Sequence, residues 1–429
     1  MQIDREEEGK MPNERKVTVL DSFQESSMIN MNFTEISKEA EEQAWPEGRS
    51  GHCICSDNEN FLYVFGGYNP KDSHSIYNQL WRYNTSANVW TILPDKENGS
   101  PLSGASISMT YWDQKIITFG GTGYPFAEQN SNHLSLYCLR SYKWFNLTKL
   151  AKDQAIIQGC DENEIKVKPC ECTEIRNAAP NPKYGQSITI SPAGKLYVFA
   201  GTLGLEFEND LHSFCLHNMF WTAHNFCSIH RDTIPEPRYR HASISKDNRF
   251  YVLGGATSYR IFGFRYLHSF NYDTKIWEKL RCTSKDGTLD SMIYPEPRHS
   301  HVCVEYQKKV ILIGGLPLPN RSLDDIWVMD LETLSWTQLQ SAFPSPIYFH
   351  AATMCNNELY VFGGTDTQKK RVNKLHACQM NVKSLKRQCW TFVAKQLKRN
   401  KCLDKQTLLD LGIPKSFNYW IDDLKMLAG

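Results

Sequence analysis

The chain has 429 residues, of which 41% are hydrophobic and 12% aromatic, so it can bury a sizeable core. Lysine and arginine number 48 against 47 aspartates and glutamates, and this near-zero balance gives no sign of binding to nucleic acid or to a charged lipid surface. No run of 18 or more apolar residues predicts a spanning helix, so we expect neither membrane nor nucleic acid among its partners.

The first 28 residues are mostly polar and charged, and we expect them to be disordered. They lack the apolar run of a secretory signal. The 14 cysteines should then be thiols in a reducing compartment. We therefore expect a cytoplasmic protein that could also enter the nucleus.

One pattern recurs along the chain with a period near 50 residues. An apolar run ends in a glycine pair, and a lone tryptophan follows 20 to 23 residues later. The runs are Phe61–Gly67, Ile116–Gly121, Leu196–Gly201 (with Ala200 in place of the first glycine), Phe250–Gly255, Val310–Gly315 and Leu359–Gly364. The tryptophans are Trp90, Trp144, Trp221, Trp277 and Trp336.

Another short apolar segment lies between each glycine pair and its tryptophan, so each unit contains four short strands. Six such units predict an all-β, six-bladed propeller over residues 29–382. The glycines suit strand ends that need positive φ or close packing, and the tryptophans suit contact with a neighbouring blade.

The sixth unit has no tryptophan in its own fourth strand. The strand-like segment Met31–Ile36 precedes the first unit, and we predict that it supplies this missing strand. Such a closure joins the two ends of the ring and removes the exposed edges.

An insert over residues 150–180 breaks the period between the second and third units. It contains Cys160, Cys170 and Cys172 but no histidine, and the Cys-Glu-Cys spacing is too tight for the usual pair of zinc ligands. We interpret the insert as a mobile surface loop without metal.

Residues 383–429 change to helical spacing. Leu385, Cys389 and Val393 are four residues apart on one helix face, and Ser384 can cap the helix. One interpretation is an amphipathic helix packed under the propeller. About twenty residues later, Ile413 and Pro414 begin a second group of spaced apolar residues.

These motifs together resemble a known family. The repeated units resemble the kelch repeat, the Leu385 helix is similar to an elongin-C-binding box, and Ile413-Pro414 is similar to a cullin-2 box. The combination resembles the kelch-domain receptors of cullin-2 ligases, over nearly all of the chain past residue 45. The resemblance implies a non-catalytic substrate receptor of a cullin-2–elongin B/C RING ubiquitin ligase, without a cofactor. Its implied partners are elongin B–elongin C, cullin-2 with its RING subunit, and proteins carrying C-terminal degrons that end in small residues such as Gly or Ala.

In such receptors the first strand of each blade and the loops after the glycine pairs face one mouth of the central channel. An arginine fork there could hold a terminal carboxylate, and tyrosines could wall a small last residue. The degron-binding set implied for this chain is Arg49, Arg238, Arg240, Arg298, Tyr68, Tyr124, Tyr184, Tyr239, Tyr259 and Tyr348. The alternative is that the recurring arginines brace adjacent blades.

Two other functions fit a kelch ring. A copper oxidase of the galactose oxidase type needs copper ligands and a modified tyrosine, whereas His52, His241 and His301 recur at one repeat position, as structural residues would. A non-enzymatic kelch scaffold would leave the two C-terminal boxes without a role. The last residues, Ala428-Gly429, are themselves a tail of the expected kind, so we also predict that they could enter the pocket of another copy.

Overall fold

The computed structural model is all-β apart from short helical segments, and it contains 28 strands in the described residues. The structure describes residues 30–38, 41, 43–71, 75–95, 99–101, 104–151, 164–166, 173–225, 232–284, 294–318, 321–383, 385 and 388–393. None of the helices in these ranges is long and apolar enough to cross a membrane.

The strands form six sheets, each of which is one blade. The first strand in the described residues is β1 (Thr34–Ile36), which precedes the first complete blade. Blade one contains β2 (Ser50–Ser56), β3 (Phe61–Asn69), β4 (Ser75–Ile76), β5 (Leu80–Asn84) and β6 (Val89–Ile92). Blade two contains β7 (Ser108–Trp112), β8 (Lys115–Phe119), β9 (Leu134–Cys138) and β10 (Lys143–Asn146).

Blade three has two additional strands at its outer edge. It contains β11 (Glu164–Lys166), β12 (Thr173–Arg176), β13 (Ser187–Ile190), β14 (Lys195–Thr202), β15 (Phe207–Cys215) and β16 (Phe220–Asn225). Blade four contains β17 (Ala242–Lys246), β18 (Arg249–Leu253), β19 (Tyr266–Asn271) and β20 (Trp277–Arg281). Blade five contains β21 (Thr283–Ser284), β22 (Val302–Tyr306), β23 (Lys309–Leu318), β24 (Arg321–Asp330) and β25 (Ser335–Ala342). Blade six contains β26 (Ala351–Cys355), β27 (Glu358–Phe362) and β28 (Leu375–Gln379).

The N-terminal strand completes blade six, as predicted. β1 pairs antiparallel with β28, with Thr34 opposite Ala377 and Ile36 opposite Leu375. The innermost strands β2, β7, β13, β17, β22 and β26 each contact their counterparts in the two neighbouring blades. The ring is therefore closed, and these six strands surround the central channel.

The outer tryptophans join neighbouring blades, which confirms that expectation. In four blades the tryptophan packs against a phenylalanine of the preceding blade, on the strand next to the innermost one. The ring centroids of these pairs are 5.1 to 5.7 Å apart. These pairs are Trp90 with Phe362, Trp144 with Phe65, Trp221 with Phe119 and Trp277 with Phe199. The hydrophobic core consequently lies between blades, where aromatic pairs contribute about 0.5–1.5 kcal/mol each beyond their buried area.

A ring of backbone hydrogen bonds surrounds the channel. One residue per blade, just before or at the start of the innermost strand, has a positive φ between 50° and 68°. These residues are Gly51, Ser106, Gly185, Arg240, Ser300 and Phe349. Each amide donates to the carbonyl of its counterpart in the preceding blade over 2.7–3.1 Å, and the Gly51 amide donates to the Phe349 carbonyl. All six blades are therefore held in register at one end of the channel.

Two segments of the insert form strands, which corrects the expectation of a loop for its described residues. β12 pairs antiparallel with β16, and Ile175 lies opposite Ala223. The alternating segment Thr173–Arg176 thus extends the open edge of blade three. Cys160, Cys170 and Cys172 lie outside the described residues, as does the segment 1–28 for which we predicted disorder. The nine cysteines in the described ranges are free thiols.

Candidate functional site

A small cavity of about 70 Å³ opens at the channel mouth that carries the backbone ring. Blades one, two, three, four and six contribute to its wall. The lining residues are Ser50, Gly51, Tyr68, Ala105, Ser106, Thr122, Phe126, Tyr184, Arg240, Phe349 and Arg371. The cavity has room for a few water molecules, and it contains two arginines among aromatic side chains.

Arg240 enters this cavity from blade four. Its amide donates to the Gly185 carbonyl at 2.7 Å and its carbonyl accepts from the Ser300 amide at 3.0 Å, so its unusual φ of 54° is held on both sides. The guanidinium lies 4.4 Å from the centre of the Phe349 ring and 4.6 Å from that of Tyr239. Burial lowers the pKa of Arg240.

Arg240 has no carboxylate partner in the part of the chain that the structure describes. Its Nε is buried and has no hydrogen-bond partner there. A buried cation is unfavourable unless an opposite charge compensates it. The arrangement is therefore suited to receive an anion.

Arg371 enters the same cavity from blade six. Its Nε donates to the Ser50 hydroxyl at 3.2 Å and its Nη1 to the Lys369 carbonyl at 2.9 Å. The guanidinium lies 5.5 Å from the centre of the Tyr68 ring. No acidic side chain pairs with it among the described residues. Sequence reasoning missed Arg371, although it lies in a loop after a glycine pair, the position that was expected to face this mouth.

Five of the six predicted tyrosines lie at or directly behind the cavity. Tyr68 and Tyr184 line it, and Tyr124 stacks on Tyr68 with ring centroids 6.0 Å apart. Tyr239 contacts Arg240, and the Tyr348 ring lies 5.3 Å from that of Phe349. Aromatic groups thus enclose both arginines.

Tyr259 does not join them, since it is 86% exposed and does not line the cavity. The missed aromatic residue on the blade-two side is Phe126, whose ring meets Tyr68 edge-on at 4.8 Å.

The other three predicted arginines have a different position. Arg49, Arg238 and Arg298 are at most 4% exposed. In each, Nε donates to the carbonyl two residues earlier, and Nη1 donates over 3.0 Å to the carbonyl of the first glycine of the blade's pair. The structure therefore places these three outside the cavity. Their side chains brace their own blades and not, as the alternative had it, adjacent ones.

The recurring histidines link adjacent blades. His52 Nε2 lies 3.1 Å from the Phe362 carbonyl of blade six, and in blade three Gln186 donates to the Phe119 carbonyl of blade two at 2.7 Å. Burial lowers the pKa of His52 to about 3, so its ring is neutral. Among the described residues, no group of three or more side chains could hold a metal ion.

The C-terminal segment begins as a helix. The backbone is helical at Leu385 and over residues 388–393. Trp390 is 2% exposed and packs into the core cluster formed by blades one and two, with Val393 against the same cluster. Leu385 and Phe392 are 76% and 65% exposed, and Cys389 is exposed as well.

One face of this helix therefore anchors it to the propeller, and the other presents Leu385, Cys389 and Phe392 to solvent. Of the predicted box, Leu385 and Cys389 are accessible, whereas Val393 is partly covered by the propeller. Ile413, Pro414 and the tail Ala428-Gly429 lie outside the described residues.

Known proteins share this repeat organisation. The family model for the KLHDC2/KLHL20/DRC7 Kelch-repeats domain matches residues 14–161, 162–342 and 288–403. Kelch domain-containing protein 10 of Xenopus laevis is 32% identical over 383 residues, which cover 86% of this chain and 84% of the relative. The Homo sapiens protein of the same name is 30% identical over 380 residues, covering 86% and 78%. Kelch domain-containing protein 1 of Mus musculus is 26% identical over 385 residues, covering 81% and 84%. The chain therefore belongs to the kelch-repeat family and is closely related to Kelch domain-containing protein 10.

Proposed function

We propose that the chain is the substrate-recognition subunit of a cullin-2–elongin B/C RING ubiquitin ligase and has no catalytic activity of its own. It would bind the C-terminal tails of proteins that end in small residues such as Gly or Ala, and so direct them to ubiquitination and proteasomal degradation. The observation that carries this proposal is the pair Arg240 and Arg371 in one small cavity, without a carboxylate partner in the described ranges.

A terminal carboxylate has the chemistry that this pair requires. It can accept charge-assisted hydrogen bonds from two guanidinium groups at once. Aromatic walls exclude water and strengthen such bonds. The cavity of about 70 Å³ leaves little room beside the carboxylate, which favours a last residue with a small side chain.

The exposed face of the C-terminal helix supports the ligase part of the proposal. A large apolar side chain such as Leu385, left 76% exposed on a helix that Trp390 anchors, suits insertion into a partner's pocket. Cys389 is one turn further along and is small enough to permit close approach of a second helix. We assign this face to elongin C, and the Ile413-Pro414 segment to cullin-2.

Fluorescence anisotropy with labelled decapeptides tests the substrate part. One peptide ends in Ala-Gly with a free carboxylate, a second ends in Ala-Gly-amide, and a third has one Asp appended after the Gly. Only the first should bind well, and Arg240→Ala and Arg371→Ala should each weaken it by about 30-fold or more. Arg321→Ala, at an exposed site on blade five, is the matched control and should bind like wild type.

Equal binding of the acid and the amide would contradict the proposal. In that case, if elongin does not copurify either, a non-enzymatic kelch scaffold is the function that remains.

A further inference from the structure

Four blades carry a buried cation at the same repeat position: Arg49 in blade one, Lys183 in blade three, Arg238 in blade four and Arg298 in blade five. Two of these cations are neutralised within their own blade. Lys183 Nζ lies 2.6 Å from Asp210, and Arg298 makes a two-pronged ion pair with Asp325 at 2.5 and 2.8 Å.

The two aspartates are equivalent in the repeat. Asp210 comes directly before Leu211, which pairs with Phe199, and Asp325 comes directly before Ile326, which pairs with Ile313. In blade four Val252 pairs with His268, so the same register places Tyr266 at this position, directly before Leu267. Blade four thus keeps the cation and replaces its acid with a tyrosine.

Arg238 is therefore compensated less well than its counterparts. It is 4% exposed, it donates to the Glu236 and Gly254 carbonyls at 3.0 Å, and its guanidinium lies 3.9 Å from the centre of the Phe262 ring. Burial lowers the pKa of Arg238 to about 9. The nearby Glu236 carboxylate is engaged by Arg260 at 2.5 Å. Blade one also lacks the strand acid. There Tyr77 covers Arg49 as Phe262 covers Arg238, and its hydroxyl also donates a hydrogen bond to Glu47.

A groove of about 430 Å³ opens beside Arg238, between the start of blade four and the start of blade five. This volume is within the range of about 300–1,000 Å³ that is typical of ligand sites. On its rim the charged groups of Arg265 and Lys279 lie 5.8 and 5.0 Å from the centre of the Tyr266 ring. In the ranges that the structure describes, neither of them has a carboxylate partner. The second acid of the groove, Glu296, is already paired with Arg321.

We propose that this groove is a second binding site, which takes an acidic side chain from a segment of a partner protein. The ligand would lie beside Arg238, Arg265 and Lys279, and it would provide the charge that Asp210 and Asp325 provide in their own blades. A carboxylate of Asp or Glu and a phosphate on Ser or Thr share this chemistry. The inference is independent of the channel cavity, where Arg240 and not Arg238 lies.

Amidated, fluorescein-labelled heptapeptides test this site without a free C-terminal carboxylate. One carries two glutamates beside a tyrosine, a second has glutamines in their place, a third has one phosphoserine and a fourth has serine. At least one anionic peptide should bind about tenfold more tightly than its neutral counterpart, and added salt should weaken that binding. If only the glutamate peptide binds more tightly than its neutral counterpart, the ligand is a carboxylate. If only the phosphoserine peptide does so, the ligand is phosphorylated.

Two variants locate the binding. Tyr266→Asp restores the intrablade acid, so it should satisfy Arg238 and weaken the anionic peptide about tenfold or more, and Lys279→Glu should do the same from the rim. Lys149→Glu makes the same charge change on blade two and should bind like wild type, as should Arg240→Ala. The inference would be overturned if the anionic and neutral peptides bound equally well. It would also be overturned if Tyr266→Asp and Lys279→Glu both bound the anionic peptide as tightly as wild type does.

Discussion

The amide of Gly51 donates a hydrogen bond of 3.1 Å to the carbonyl of Phe349, and this bond joins blade one to blade six at the channel mouth. It closes the backbone ring whose blade-four member is Arg240. The Phe349 ring in turn lies 4.4 Å from the Arg240 guanidinium. The closure of the fold and the orientation of the candidate site thus depend on the same six residues.

Substitution at the ring should destabilise the propeller. Gly51 has a φ of 63°, and a β-carbon there would lie 3.3 Å from the Ser106 hydroxyl. Gly51→Val should lower the free energy of unfolding by about 1–3 kcal/mol, because β-branched residues are strained in this conformation. Urea unfolding would measure the change. The control is Ser106→Gly at the equivalent site of blade two, where glycine suits the positive φ, so the free energy of unfolding should change little. A Gly51→Val protein that is as stable as wild type would contradict the role of the ring.

The arginines should separate into bracing and binding residues. Arg298→Ala leaves Asp325 beside Trp327 without its cation, and breaking such a pair should reduce stability by about 3–5 kcal/mol. Arg240→Ala removes a cation that has no acidic partner in the described residues, so stability should change by less than about 1 kcal/mol. Binding of the Ala-Gly peptide should nevertheless weaken by about 30-fold or more. Urea unfolding and anisotropy on both variants would test this division, which fails if Arg298→Ala melts normally or Arg240→Ala binds the peptide as wild type does.

The C-terminal helix should also divide into two faces. Leu385→Ala combined with Cys389→Phe should abolish copurification of elongin B–elongin C without lowering the melting temperature, because both side chains are exposed. Trp390→Ala should instead destabilise the protein by about 3 kcal/mol, because it empties a buried site against blades one and two. Undiminished copurification of the double variant would eliminate elongin docking at this face. Changes at Ile413 and Pro414 should lose cullin-2 while keeping elongin.

Buried histidines should make the propeller sensitive to acid. Burial lowers the pKa of His52, His241 and His350 to about 3 each, from about 6.5 in the unfolded chain. Between about pH 6.5 and pH 3 the unfolded chain therefore binds protons that the folded chain excludes. The free energy of unfolding should fall as the pH is lowered through this window.

His52→Gln tests the contribution of one histidine, because Gln186 already makes the equivalent bond in blade three. In the variant, unfolding should take up about one proton fewer between about pH 6.5 and pH 3. The slope of the free energy of unfolding against pH should therefore be smaller by about 1.4 kcal/mol per pH unit. Its stability near pH 7.5 should be close to wild type. Urea unfolding over a pH series would show this, and an unchanged slope would mean that His52 does not titrate on unfolding.

The architecture was predictable because its signals are local and repeated. The glycine pairs mark positions of positive φ, before which the strand ends in blades two, four and six but through which it continues in blades one, three and five, where the expectation of a strand end was wrong. The tryptophans mark contacts between blades, and the missing strand of blade six left one candidate before blade one. Each signal follows from packing that every blade must satisfy. The sheet extension by β12 was not predictable in this way, because a single alternating segment such as Thr173–Arg176 has no repeat to support it.

The site was harder to predict, because side-chain direction depends on backbone geometry. Arg238 and Arg240 are two residues apart and identical in type, yet the first binds a glycine carbonyl of its own blade and the second enters the channel cavity. The positive φ of Arg240 causes this difference, and the residue type does not predict it. Arg371 lies outside the repeated arginine position, so the repeat gives no signal for it.

The seam between β1 and β28 also sets an order of events during synthesis. Ile36 and its partner Leu375 are about 340 residues apart, so a ribosome adding about 5–20 residues per second makes them about 20–70 s apart. Throughout that interval the first strand has no partner, and a chain cut short before β28 keeps an unfinished sixth blade. The helix that carries Trp390 is made only after β28, so a nascent chain exposes the proposed elongin-docking face only after the last strand of the ring has been made.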